Sequence, residues 1–154
     1  MRISILIFIF LFSFLLTAQQ KRPTFDGEVS PQEWGNAESF DINYEVNPGN
    51  NIPSTHLTKV FITYSKTDLY VGFIAYADMN NLRSSVRNRD EGYQDDNVMV
   101  GIDTYRDSRY MISLRANAEG NQLDAKFLPS GDDYVSYYVS FESKSSKHED
   151  SYHV

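Results

Sequence analysis

The sequence predicts an all-β fold, an antiparallel β-sandwich of the immunoglobulin-like or jelly-roll type carrying one short N-terminal helix. Three observations point there. Apolar residues recur at every second position in several short runs, polar turns separate those runs, and long helical periodicity is missing. The chain has 154 residues, about one domain's length.

The first element is not part of the fold. Ile3 to Leu16 is an uncharged apolar run of ~14 residues, too short to cross a bilayer as a helix, which needs roughly 20. With Arg2 before it and Leu16-Thr17-Ala18 at its end, it reads as a secretory signal over 1–19, leaving 20–154 as the sandwich. Ser30-Pro31-Gln32-Glu33 then forms a capping box: a serine oxygen for the third helical amide, proline at the first helical position, and a glutamate reaching back. Gly35 limits this helix to one or two turns, and Trp34 inside it is expected to sit on the sheet as a core lid. Asn43 to Thr58, with Asn47-Pro48-Gly49-Asn50-Asn51 and Pro53, reads as a loop.

Lys59 to Tyr64 and Leu69 to Ala77 read as two strands joined by the turn Ser65-Lys66-Thr67-Asp68, with Leu69, Val71, Phe73 and Ala75 on one face. Asn97 to Asp103 and Tyr110 to Ala116 repeat the pattern around the polar turn Tyr105 to Ser108. Leu123 to Leu128 and Tyr134 to Glu142 make two more strands, broken by Pro129-Ser130-Gly131-Asp132-Asp133. Ser151-Tyr152-His153-Val154 opens a further alternation just before the sequence stops. The last strand is therefore expected to be truncated and the chain to be the N-terminal part of a longer protein.

Composition excludes several function classes. The net charge is −7, and losing Arg2 with the leader makes it one unit more negative, so no nucleic-acid partner and no anionic membrane surface is expected. With no cysteine, disulfides, thiolate zinc sites, iron–sulfur clusters and cysteine nucleophiles are absent. A glycosidase needs two carboxyls across a sugar cleft, whereas adjacent Asp95 and Asp96 on a strand point to opposite faces. His56, His148 and His153 lie in polar segments or at the end of the sequence, outside any catalytic or metal-binding spacing. Any hydrolase chemistry is expected downstream of this chain. Haem ligation has only Met79, Met99 and Met111 with His56 as material, and Met99 and Met111 alternate with valine and isoleucine as core residues do.

One set of motifs runs through the chain in order: Phe25-Asp26-Gly27, Trp34 and Ala37, Leu69-Tyr70-Val71-Gly72-Phe73, Arg89-Asp90, Asp95-Asp96-Asn97-Val98, Ile102-Asp103, Asp107, Asn117, Gly120 and Asp124. Together they resemble the family 9 carbohydrate-binding module and its relatives, in particular exported bacterial proteins that open with such a module and continue into a large barrel-like C-terminal region. The resemblance implies a sandwich that binds sugars or assists polysaccharide breakdown, located in the periplasm, at the outer membrane or outside the cell. Its sugar-binding members hold a ring between two aromatic faces, commonly tryptophans. This chain has only Trp34, so Tyr93 is the expected stacking side chain.

The expected sugar pocket combines the loop Arg87 to Asp96 with the strand carrying Arg115 and Asn117. Arg89, Asp96, Arg115 and Asn117 supply the donors and acceptors that hydroxyls need. Asp90 and Asp95 are candidate calcium ligands, since calcium takes six to eight oxygens. Their alternative role is structural, with Asp95 and Asp96 capping a strand while Arg83, Arg87 and Arg89 neutralise them. Two function classes follow: a noncatalytic carbohydrate-binding module, or an interaction-only sandwich that abuts its own membrane-embedded C-terminal region without binding sugar.

Overall fold

The computed structural model describes residues 22–47, 49–131 and 133–154. The leader expected over 1–19 lies outside the described residues. The first sheet grows from the strongest hairpin in the sequence. β1 (Glu38–Glu45) and β2 (Ile52–Tyr64) pair antiparallel, and β2 turns at Ser65 to Asp68 into β3 (Leu69–Tyr76) with Tyr64 opposite Leu69. Asp68 closes that turn by accepting from both Ser65 Oγ, at 3.0 Å, and Thr67 Oγ1, at 2.6 Å.

The second sheet contains β4 (Asn97–Ile102), β5 (Met111–Asn117), β6 (Gln122–Phe127) and the short β7 (Asp133–Tyr134), in that spatial order. The chain then crosses back. β8 (Ser146–Lys147) and β9 (Ser151–His153) join the first sheet, whose order is β1-β2-β3-β9-β8. The expected all-β architecture of two antiparallel sheets is what the structure has. β9 lies inside the first sheet, paired to β3 and β8, and Phe73 and Val154 exchange two backbone hydrogen bonds of 2.8 and 3.1 Å.

Period-two alternation places the core. Val60 of β2, Phe73 and Ala75 of β3, Tyr152 of β9 and Val98 of β4 gather between the sheets with Ala118, and Val71 and Val100 pack against them. Burial pushes the Tyr152 hydroxyl's pKa up to about 12, with the nearby Asp96 charge adding to the effect. The other face of β2 and β3 is covered too: Val29 and Trp34 of the N-terminal segment pack on Phe61 and Ile74. Trp34 is only 7% exposed and meets Phe61 at a ring separation of 6.2 Å.

Three sequence expectations change. The capping box makes a single turn rather than a helix: the Glu33 and Trp34 amides donate to the Ser30 carbonyl at 3.1 and 3.0 Å, and Glu33 N also donates to Ser30 Oγ at 3.4 Å. The Glu33 carboxylate accepts from Thr24 N, so one of its oxygens serves the incoming N-terminal segment and not the Ser30 amide of a capping box. The segment read as a loop from Asn43 is largely strand, because Phe40, Ile42 and Tyr44 alternate along β1 and β2 begins at Ile52, opposite Glu45. A register shift between Ile42 and Tyr44 lets Pro53, which has no N–H, take part in that edge pairing. The strand expected over Tyr134 to Glu142 shrinks to β7, for reasons that lie in the site below.

Two glycines are fixed by close approach. Gly27 has φ +92°, and a Cβ there would meet the Ser145 backbone at 2.9 Å. Gly72 sits beneath the six-membered ring of Trp34, where a Cβ would come within 2.9 Å of Cζ2. Among the described residues the buried Trp34 Nε1 has no hydrogen-bond partner, so the indole contributes through its area and not through its N–H. Trp34→Ala is expected to cost ~3–5 kcal/mol, Gly72→Ala ~1–3 kcal/mol through overpacking, and Trp34→Phe clearly less than Trp34→Ala. Denaturant unfolding of the double variant Trp34→Phe/Gly72→Ala checks the cause: the Gly72→Ala penalty should shrink beside the smaller ring, and an additive result would assign it elsewhere.

Candidate functional site

The residues singled out from the sequence come together on the second sheet, and the register explains how. Val98, Val100 and Ile102 of β4 pair with Ala116, Leu114 and Ile112 of β5, and these face the first sheet. Met111, Ser113, Arg115 and Asn117 then point the other way, with Leu123 and Ala125 of β6 opposite Arg115 and Ser113. The loop Arg83 to Asp96 folds over that second face: a Cβ on Gly92 would lie 3.7 Å from the Leu123 side chain and 4.0 Å from Asn117 Nδ2.

Two buried polar side chains hold the loop. Asn117, with 0% exposure, donates from Nδ2 to the Ser85 carbonyl at 3.2 Å and to Asp95 Oδ2 at 3.0 Å. Its Oδ1 accepts from the Glu119 and Asn121 amides at 3.0 and 2.9 Å. Asp95 in turn accepts from Ser85 N and Ser85 Oγ, both at 3.1 Å, with the Arg87 guanidinium 3.8 Å away. Burial alone would raise the Asp95 pKa, but the Ser85 and Asn117 hydrogen bonds and the Arg87 charge outweigh it and hold the carboxyl below its ordinary 3.8.

Asp124 is the second anchor. It is 1% exposed and receives the Arg89 guanidinium, whose Nε donates to Oδ1 at 3.0 Å and whose Nη2 donates to the same oxygen. Arg89 also donates to Gln122 Oε1 and, at 2.6 Å, to the Val139 carbonyl, and it lies 4.8 and 5.2 Å from the Tyr138 and Phe141 ring centres. Asp124 Oδ2 accepts from Val139 N at 2.6 Å, and Gln122 Nε2 donates to the Phe141 carbonyl at 3.0 Å. These side-chain bonds take backbone groups that a strand ladder would have used, which is why Tyr134 to Glu142 is not a long strand.

Asp90, at φ +64°, completes the brace. Its N donates to the Gln122 carbonyl at 3.0 Å and its Oδ1 accepts from Asp124 N at 3.0 Å, imitating a neighbouring strand along the β6 edge. Tyr93 donates its hydroxyl to the Asp124 carbonyl at 3.0 Å, and the Arg115 guanidinium lies 5.4 Å from its ring centre, so one ring face is covered. Arg115 Nε donates to Ser113 Oγ at 2.9 Å. Asp96 accepts from Arg83 N at 2.9 Å and from Arg83 Nη2 at 3.2 Å. Six of the seven residues are thus tied to one another or to β5 and β6, while Asp96 bonds to Arg83 outside that set. Calcium would have to displace these donors from Asp90 and Asp95. Among the described residues neither belongs to a group of three ligand side chains close enough for one ion; the group that does is Glu28, His148 and His153.

An exposed aromatic surface lies at the far end of the same sheet. The β4–β5 loop is shaped by Asp103, whose Oδ1 accepts from the Tyr105 and Arg106 amides at 3.2 and 2.7 Å and whose Oδ2 accepts from Ser108 N at 3.0 Å. The backbone bonds from Ser108, Arg106 and Tyr105 lower the Asp103 pKa against a smaller opposing effect of burial, so the loop is held by an ionised carboxylate. Asp103, Ser108, Arg109, Tyr110 and Met111 line an open groove of about 230 Å³. Tyr105 is 71% exposed and stands edge-on to Tyr110, with 6.0 Å between ring centres. Lys126 Nζ lies 3.6 Å from the Tyr110 ring centre. The Tyr110 pKa is raised, first by burial and then by Tyr105, with the Asp107 and Tyr137 charges adding to the effect. Sequence reasoning missed this surface; its signal is the pair of tyrosines at 105 and 110 on either side of a polar turn.

A scan of family models, a search of curated proteins and a search of solved structures each found no match to this chain.

Because the folded pKa of Asp95 is depressed, its contribution to stability is complete above the unfolded value of 3.8 and is lost as pH falls through the folded value. Asp95→Asn should lower stability at neutral pH and flatten the acid limb of the stability profile below about pH 4, read by urea unfolding at stepped pH. Tyr105→Ala, at the exposed surface, should stay within ±0.5 kcal/mol of wild type.

Proposed function

We propose that this chain is a noncatalytic carbohydrate-binding module of an exported protein concerned with polysaccharide binding or breakdown. The observation that carries the reading is the exposed Tyr105, standing edge-on to the half-buried Tyr110 beside an open and mostly apolar groove, with Asp103 and Arg109 in its lining and Lys126 over the Tyr110 ring. The flat apolar face of a pyranose stacks on an aromatic plane, and arginine, lysine and carboxylate groups at its rim supply partners for hydroxyls. The ordered motifs shared with the family 9 module and the apolar leader support export and sugar binding from the sequence side. In this reading the sugar lies on the tyrosine surface, while Arg89, Tyr93, Asp96, Arg115 and Asn117 support the sheet beneath the loop.

A second reading rests on a different surface. Phe40, Ile42 and Tyr44 share the face of β1 that points the same way as the buried Val60, yet each stays about half exposed. Such a row on an edge strand suits an interaction-only sandwich lying against its own C-terminal region, including a membrane-embedded barrel.

Isothermal titration with mono- and oligosaccharides tests the first reading. Wild type should bind a sugar, and Tyr105→Ala and Tyr110→Ala should each weaken it at least tenfold, about 1.4 kcal/mol, while Tyr93→Ala and Arg115→Ala act mainly on stability. Sugar binding that survives both groove variants but is lost in Tyr93→Ala and Arg115→Ala moves the site to the loop. Absence of binding to any glycan favours the interaction-only reading.

A further inference from the structure

Glu28, His148 and His153 form a three-residue group that shares no residue with the tyrosine groove. It comes from two segments remote in sequence. His148 ends the β8 side of the last hairpin and His153 lies on β9 opposite Ser146, so the two project from one face of that hairpin. Their rings lie 4.0 Å apart at an interplanar angle of 32°. The face is the one that carries Ile74, directly opposite His153, beneath the N-terminal segment. Glu28 of that segment reaches over it: Oε2 is 3.2 Å from His148 Nε2 and 3.7 Å from His153 Nδ1.

We propose that Glu28, His148 and His153 form a binding site for a divalent transition-metal cation of the zinc class, which ties the N-terminal segment to the last hairpin. The donor set is two imidazoles and one carboxylate, the borderline ligands that zinc, nickel and copper prefer and that calcium and magnesium do not. The spacing agrees with that chemistry. With metal–nitrogen and metal–oxygen bonds of ~2.0–2.1 Å, ligand atoms around a tetrahedral zinc lie about 3.3–3.4 Å apart, and the three ligand atoms here already lie within 4.8 Å of one another. Small side-chain adjustments bring them to that separation.

The surroundings suit a site that is anchored yet reachable. His153 is 12% exposed, whereas His148 and Glu28 are 36% and 50% exposed, leaving an open side for the cation and a water as fourth ligand. Val29, next to Glu28, is buried against Trp34, Phe61 and Ile74 and fixes where the carboxylate stands. Val29 N donates to His153 Nδ1 at 3.2 Å, a long bond that the cation would replace at the same lone pair. Ser146 Oγ donates to the Gly27 carbonyl at 3.0 Å and lies 3.1 Å from His148 Nε2, holding segment and hairpin in register before any ion arrives.

The test uses the untagged chain, stripped with a chelator and titrated with zinc chloride alone by calorimetry, with thermal unfolding in parallel. One zinc per chain is expected, with a rise in melting temperature that grows with free zinc. Zinc-edge X-ray absorption should show imidazole scattering from two histidines. His148→Ala and Glu28→Gln, both at exposed positions, should each weaken binding at least tenfold, and His56→Ala should leave it unchanged. The proposal is overturned if wild type takes up no zinc saturably, if the absorption spectrum lacks imidazole scattering, or if both site variants bind like wild type.

Discussion

The ion pair between the partly exposed Arg89 and the buried Asp124 organises the second half of the molecule. A carboxylate that is 1% exposed costs several kcal/mol to desolvate unless it is fully partnered. Its partners here are the guanidinium of Arg89, the amide of Val139 and, through its own backbone, Asp90 and Tyr93. Each belongs to a segment with no regular strand of its own. The pair thus fixes the loop before β4 and the crossing segment after β7 to one point on β6, and the chain can return from the second sheet to the first.

From that point the remaining features follow by geometry. With the crossing segment held near Val139 and Phe141, Ser143 and Ser145 reach the Gly120 and Ala118 carbonyls at 3.1 Å each, and Ser146 meets Gly27 as β8 begins. The last hairpin then supplies Tyr152 to the core between the sheets and presents His148 and His153 beneath Glu28. On the opposite flank, Trp34 closes the outer face of β3 over Gly72. Core, brace and histidine group all depend on where the crossing segment lands.

How much of this could be read from the sequence differs by kind of interaction. Strands such as Leu69 to Tyr76 were legible because alternation is local, and so was Trp34 as a lid from its place inside the capped turn; that Gly72 makes room for its ring emerged only from the structure. The strand β1 was hidden because its apolar side stays half exposed and it adjoins an Asn-Pro-Gly run. Arg89, Asp90 and Asp95 of the expected loop do lie against the strands beside it, Asp95 bonding to Asn117 and the other two to Asp124, a residue outside the expected pocket. Their internal bonding was not visible, because whether an arginine faces solvent or a buried aspartate 35 residues away is decided by the register of β5 and β6. The histidine group was illegible for the same reason: Glu28 and His153 meet only once the sandwich has closed.

The claim that Asp124 holds the crossing segment is tested most directly by native-state hydrogen exchange in wild type and Asp124→Asn. The substitution keeps the side-chain size but removes the charge and the second oxygen that accepts from Val139 N. The account predicts that the Val139 amide is strongly protected in wild type and exchanges at least tenfold faster in the variant, while amides of the β2–β3 ladder keep their protection. Unchanged protection at Val139, or a loss shared equally with the β2–β3 ladder, would contradict it.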